Sequence, residues 1–137
     1  MSTRCNIIIK DKKGKIYLYH HHDGYPEGVG SDLFERLKSL FLNTYLYKTS
    51  LANFLVKDAN DEYNITDSIH GDIEFLYTID CESKSMFWQK VDRTWVNDTV
   101  EQHIGKKNYM IKKGNWSKKC VNSYLDWLYY MQHLLMQ

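Results

Sequence analysis

The sequence predicts an α+β domain: an antiparallel sheet of about five strands, two helices after the first hairpin, and a long C-terminal helix. Three observations lead there. Two stretches near the N-terminus are rich in β-branched and aromatic residues, and residues 72–80 alternate apolar and polar positions as a half-buried strand does, with Met86–Val91 returning beside them. Between these pairs, apolar residues recur at three- and four-residue spacing, the period of an α-helix. The same helical spacing returns over residues 117–136.

Arg4–Lys10 and Lys15–His22 read as strands joined by a turn over Lys12-Lys13-Gly14. On the second strand Ile16, Leu18, His20 and His22 share one face, and Tyr17, Tyr19 and His21 the other. The polar loop Asp23–Gly30 leads into a helix over Asp32–Asn43, capped by Ser31 or Asp32, with Leu33, Phe34, Leu37, Leu40 and Phe41 as its apolar stripe. A second helix covers Leu51–Val56, starting at Ser50. An acidic connection without clear periodicity follows. Ile73, Phe75, Tyr77 and Ile79 then alternate with Asp72, Glu74, Thr78 and Asp80 as a half-buried strand, and Met86–Val91 returns beside it after Cys81–Ser85. A symmetric turn places Tyr77 opposite Trp88. Trp95–Asn97 reads as a strand edge, and Thr99–Gly105 is ambiguous between elements. In the helix over Ser117–Met136, the stripe of Cys120, Tyr124, Trp127, Met131 and Leu134 is widened by Val121, Leu125, Leu128 and Leu135. One sheet cannot cover so broad a face, which implies a partner subunit.

A chain of 137 residues is one domain by length and can hold a core without staples. Its net charge of +1 argues against a nucleic-acid or membrane binder acting through bulk charge. The charges are nevertheless segregated. Residues 58–82 carry eight acids and no Lys or Arg, and residues 103–119 carry six lysines and no acid. Two readings are open: solvated faces, or an anion site on the lysine segment. Cys5, Cys81 and Cys120 form no CxxC pair and indicate neither zinc nor a disulfide framework. A reducing cytoplasm is the expected home. No apolar run approaches the ~18 residues of a membrane span.

Three constellations offer chemistry. In His20-His21-His22-Asp23, strand alternation sets His20 and His22 on one face, a spacing that metal sites use, yet no second ligand cluster accompanies it. The loop Asp23-Gly24-Tyr25-Pro26-Glu27-Gly28 reads as a rigid turn: Gly24 and Gly28 permit unusual backbone, Pro26 fixes φ, and Asp23 can close an Asx turn. It could equally present backbone N–H groups and Tyr25 to a ligand. The third set is Phe87, Trp88, Arg93, Asn97, Tyr109, Lys112 and Lys113. Aromatic faces, an amide and cations are what nucleotide recognition needs. Phe87 and Trp88 point to opposite faces, so one of the two belongs to the core.

The opening Ser2-Thr3-Arg4-Cys5-Asn6-Ile7 strand and the loop His21-His22-Asp23-Gly24-Tyr25-Pro26-Glu27 resemble the phage anti-Thoeris sponge family, the first type of Thoeris anti-defence protein. Cys5 and His20 depart from that family's pattern, which has a small polar residue and an arginine there. The resemblance implies a protein that is not an enzyme and that needs no cofactor or metal. Such a protein works in the host bacterial cytoplasm during infection, sequestering cyclic ADP-ribose isomers made by TIR-domain proteins. It also implies a homo-oligomer, a hexamer in some members, with separate sites for cyclic di- or trinucleotides. By order and residue type, the resemblance makes Phe87 the adenine-stacking aromatic, Asn97 the edge reader and Lys113 the phosphate partner, with Trp88, Arg93, Tyr109 and Lys112 beside them. A second site, for the cyclic oligonucleotide, would use Arg4, His22, Gly24, Tyr25, Pro26 and Glu27. The alternative is a cyclic-nucleotide phosphodiesterase or hydrolase using His20, His22 and Asp23. A third reading is a protein–protein interaction module with the aromatic C-terminal helix as its surface.

Overall fold

The structure, a computed structural model, describes residues 2–38, 47–60 and 62–112. Strand β1 (Cys5–Asp11) turns into β2 (Gly14–His20). The Asp11 carboxylate accepts the N–H groups of Lys13 (2.8 Å) and Gly14 (3.2 Å), and Gly14 takes φ +152°, where a side chain would be strained. His20 opposes Cys5 in the last pair of this ladder, so β2 ends there and not at His22. A π-helical turn over Pro26–Gly30 then runs directly into helix α1 (Ser31–Leu37). Because Gly30 is already helical, no side-chain cap forms at α1, contrary to the expectation for Ser31 or Asp32. The part of the expected helix from residue 39 to 43 lies outside the described residues. Helix α2 (Lys48–Asp58) is longer at both ends than the sequence pattern suggests.

The remaining strands are β3 (Asn64–Thr66), β4 (Phe75–Asp80), β5 (Ser85–Val96), β6 (Thr99–Ile104) and β7 (Tyr109–Lys112). Their order is β3–β2–β1–β4–β5–β6, with β7 also on β5. The expectation of about five antiparallel strands is therefore corrected: the sheet has seven strands and is mixed, since β1 pairs with β4 in parallel. The two hairpins were legible separately, but their docking side by side depends on contacts between distant residues. Strands β3 and β7 are too short for periodicity to mark them, and Thr99–Ile104 resolves as a strand. The long C-terminal helix expected over 117–136 lies outside the described residues.

The β4–β5 turn carries the same device as the first one. Asp80 Oδ1 accepts the N–H groups of Glu82 (3.0 Å) and Ser83 (3.3 Å), and Tyr77 does pair with Trp88. Strand β5 extends to Val96, well past the expected Val91, and turns at Asn97 and Asp98 (φ 49° and 65°). This left-handed pair is the geometry of a two-residue hairpin. Along the same edge of β5, β6 is followed by β7: Ile104 opposes Val91, Gly105 N–H donates to the Lys90 carbonyl, and Tyr109 opposes Trp88.

Both faces of the sheet are apolar at its centre. On one face Ile7, Ile9, Leu18, Tyr77, Ile79 and Trp88 pack beneath Leu33, Leu37, Leu51 and Leu55 of the helices. Each such fully buried aliphatic side chain contributes about 1.5–3 kcal/mol. On the other face Ile8, Tyr19, Leu76 and Val91 pack against Ile73. Ile73 was expected to share a face with Phe75 and Tyr77; it precedes β4 and sits on the opposite side. Because β4 is central, Leu76 and Thr78 are buried as well, and the strand is not half-buried. Asn6, fully buried, is satisfied at both ends of its amide by the Leu18 carbonyl (2.8 Å) and the His70 N–H (2.7 Å). Among the described residues no helix is long and apolar enough to cross a membrane.

The phenol of Tyr77 donates to the Gly24 carbonyl at 2.6 Å, with both residues buried. Tyr77→Phe leaves that carbonyl without its partner and is expected to cost about 1–3 kcal/mol. Chemical denaturation of the two proteins measures the difference. Burial, then the hydrogen bond to Asp72, pushes the Tyr19 phenol up to about 12, and burial also raises Tyr63 and Tyr77. A phenol raised above its unfolded value of about 10 stabilises the fold fully below that pH, and the contribution is lost as pH rises through the folded value. Phenolate absorbance is therefore expected to lag the exposed tyrosines and to rise together with alkaline unfolding.

Candidate functional site

The end of β2, the loop that follows it and the chain entering β3 enclose two adjoining clefts. One, of about 410 Å³, is walled by His20, His21, His22, Asp23, Glu62 and Asn64. The other, of about 180 Å³, shares His20, Asp23 and Glu62 and adds Gly28, Val29, Asp32 and Tyr63. The pairing of β3 with β2, Asn64 opposite Tyr19, brings Glu62 and Asn64 alongside the histidines. Sequence reasoning missed Glu62, Tyr63 and Asn64 because their segment has no periodicity and the strand that places them is three residues long.

The loop forming the rim is built to close tolerances. Gly24 N–H donates to the Thr3 carbonyl at 2.9 Å, and Val29 N–H to the Asp23 carbonyl at 2.9 Å. A Cβ on Gly28 would lie 2.2 Å from the Asp23 carbonyl oxygen, and one on Gly24 would lie 2.9 Å from that of Thr3. Close approach, more than unusual φ, is thus the reason for glycine at both positions. Asp23 itself takes φ 53°, and its carboxylate accepts the Tyr25 hydroxyl at 3.0 Å. Pro26 is buried, while Glu27 and Tyr25 are exposed. The loop is a fixed rim.

Each histidine has a defined role in the wall. His20 Nδ1 lies 2.7 Å from the Glu62 carbonyl, which can only accept, so the proton sits on Nδ1 and Nε2 is left to accept from a ligand while the ring is neutral. The His20 ring leans on Tyr63 at 5.0 Å. His21 sits edge-on to Tyr19 at 4.7 Å, and His22 Nδ1 is 3.2 Å from Ser2 Oγ. Tyr63 hydrogen-bonds the Asp32 carboxylate, which also takes Arg36 at 2.8 Å. Among the described residues no group of three metal-ligating side chains stands within reach of one ion. With the carboxylates of Asp23, Glu62 and Asp32, the clefts are rich in acceptors. Such walls suit hydroxyl and amino groups of a ligand and repel phosphate.

The residues expected to form one nucleotide pocket are not brought together. Trp88 belongs to the core: only 3% exposed, it stacks on Tyr109 at 4.2 Å and meets Phe75 edge-on at 5.5 Å. Its stacking face is already occupied by Tyr109, over which Lys107 Nζ sits at 5.0 Å. Phe87 is half-buried on the opposite face, between Thr78 and Met110. Asn97 lies at the tip of the β5–β6 hairpin, ten residues along the strand from Phe87. At 3.3 Å per residue that is roughly 33 Å, so one copy cannot offer both side chains to one ligand. Arg93 is held by Glu74 at 3.5 Å. Lys112 ends β7, and Lys113 lies outside the described residues. Of the second expected set, only His22 lines a cleft; Gly24, Tyr25, Pro26 and Glu27 lie in the loop between the lining residues Asp23 and Gly28, and Arg4 faces Asp72 at 3.5 Å.

No protein-family model, curated protein or solved structure matches the chain.

Gly28→Ala is expected to displace the loop, because the Cβ meets backbone and not a flexible side-chain end. Loss of several degrees of thermal stability, with faster amide exchange at Val29, would register it. An unchanged Val29 amide would contradict the role of close approach.

Proposed function

We propose that this protein is a non-catalytic sponge that binds and sequesters a cyclic ADP-ribose-type signal. The resemblance of the opening strand and the loop over 21–27 suggests the ligand class. The observation that supports binding at this end of the molecule is the acceptor-lined cleft beside a rim locked by Tyr77, Thr3 and Asp23. Rigid walls bind without an ordering cost, which is what sequestration at low signal concentration requires. Ribose hydroxyls and the adenine amino group meet His20 Nε2, Asp23, Glu62 and Asn64; the phosphates face away from these carboxylates. Cyclic di- or trinucleotides, rich in the same ribose and base groups, are the second ligand class for this rim. Should Phe87 and Asn97 also act on one ligand, their separation requires that they come from different copies of a homo-oligomer. In this reading the work is done in the cytoplasm of an infected host.

One observation favours a second reading. The Glu62 carbonyl orients His20 as a carbonyl orients a general base, next to Asp23 and His22, as a cyclic-nucleotide hydrolase would require. Incubating the protein with a cyclic ADP-ribose isomer and then heat-denaturing it separates the two. A sponge returns the ligand intact and in stoichiometric amount; a hydrolase returns opened product and turns over.

Calorimetric titration against cyclic ADP-ribose isomers and cyclic oligonucleotides is the direct test. His20→Ala is expected to weaken binding about tenfold, the loss of one ligand hydrogen bond of roughly 1.4 kcal/mol, with the fold retained by circular dichroism. Unchanged affinity in that variant would place the ligand elsewhere.

A further inference from the structure

We propose that the β5–β6 hairpin is a docking arm for a second copy of this chain, through edge-to-edge antiparallel pairing of residues 92–96. Strand β4 supports β5 only as far as Lys90, opposite Phe75; beyond it come one backbone hydrogen bond, Val91 N–H to the Glu74 carbonyl at 2.9 Å, and the Arg93–Glu74 ion pair at 3.5 Å. From Asp92 to Val96, β5 is paired on its other side by β6 alone, and every residue from 92 to 100 is exposed. A two-stranded ribbon standing free in water is marginally stable. This one also exposes large apolar side chains: Trp95 is 76% exposed and Val100, directly opposite it, 48%. Beside them a cleft of about 450 Å³ opens between Glu74, Val91, Arg93 and Trp95.

The backbone direction and the side-chain order both select a second copy as the occupant. Residues two apart in a strand point their N–H and C=O groups the same way. Val91 N–H points to the β4 side, so those of Arg93 and Trp95 do too, and among the described residues no strand pairs with them there. The segment Arg93-Thr94-Trp95 is complementary to itself about Thr94. Around a two-fold axis at Thr94, Arg93 of each copy opposes Trp95 of the other, and these two residues exchange both backbone hydrogen bonds. Their side chains lie on one face, so the Arg93 guanidinium, which pairs with Glu74 within its own chain, meets the partner's indole on each side of the axis, a favourable cation–π pair. Shifting the centre to Arg93 opposes two arginines, which excludes that register. Further pairing is blocked where β4 begins, so the length of the free edge matches the length of the pairing. A two-fold contact of this kind closes and does not propagate into fibres.

The arrangement makes a position-specific demand. Thr94 opposes its own copy in a pair without backbone bonds, where Cα atoms come within about 4.5 Å, a distance a disulfide spans. In the full-length chain, Thr94→Cys is expected to give a covalent dimer under mild oxidation, and Asp92→Cys and Val96→Cys are expected not to. Trp95→Lys replaces the cation–π pair with like charges and is expected to weaken dimerisation at least tenfold in a light-scattering dilution series. Equal crosslinking at all three positions, or no crosslink at Thr94→Cys, would overturn the proposal. So would undiminished association of Trp95→Lys. A monomeric wild-type chain whose Arg93 and Trp95 amides are protected from exchange would overturn it in favour of residues 113–137 as the occupant.

Discussion

The parallel pairing of Cys5–Asp11 with Phe75–Asp80 is the constraint on which the rest of the molecule depends. It joins residues some seventy positions apart and turns two independent hairpins into one sheet. Parallel neighbours need a long crossover, and here that crossover contains β2, both helices and β3. Once Ile7 stands beside Tyr77, the Tyr77 ring lies beneath the loop that follows β2, and its hydroxyl meets the Gly24 carbonyl. The loop is held by the central strand of the sheet as well as by its own turn residues.

That arrangement explains the distribution of buried polar groups. Tyr77 and Asn6 are fully buried, and each uses its polar atoms to tie a connecting segment to the sheet: the rim loop in one case, the approach to β4 in the other. Buried polar groups are costly unless paired, so each bond also specifies one position for its loop. Tyr63 does the same for the chain leaving α2, through Asp32 and Arg36. The cleft is the space left between three segments fixed in this way. Its walls are therefore each tied down by a buried hydrogen bond, and its lining is rich in acceptors.

The hairpin formed by β5 and β6 follows a different logic. The sheet core ends at Val91, and the ribbon beyond it carries its apolar residues into solvent. Phe87 sits at the sheet centre and Asn97 at the far tip, so any site using both is a property of an assembly. The rim cleft, by contrast, is lined by described residues of a single chain. In the proposed reading, rim and arm divide the molecule into a recognition end and an associating one.

Local pattern was sufficient for β1, β2, β4, the start of β5 and the positions of both helices, because period and turn chemistry act over a few residues. The Tyr77–Trp88 register followed from a symmetric turn for the same reason. Asp23–Gly28 was legible as a rigid turn, although the reason for its glycines, contact with Asp23 and Thr3 backbone, was not. The mixed sheet, the short strands β3 and β7, and Glu62 beside His20 come from pairings between segments distant in sequence, which no local period encodes. The same holds for Trp88: its residue type suits a stacking platform and a core equally, and only the position of Tyr109 against its ring decided for the core. Sequence by itself determined which residues could form strands, helices and a rigid loop. Tertiary structure alone decided which of them meet, because burial is set by what the chain places on the other side.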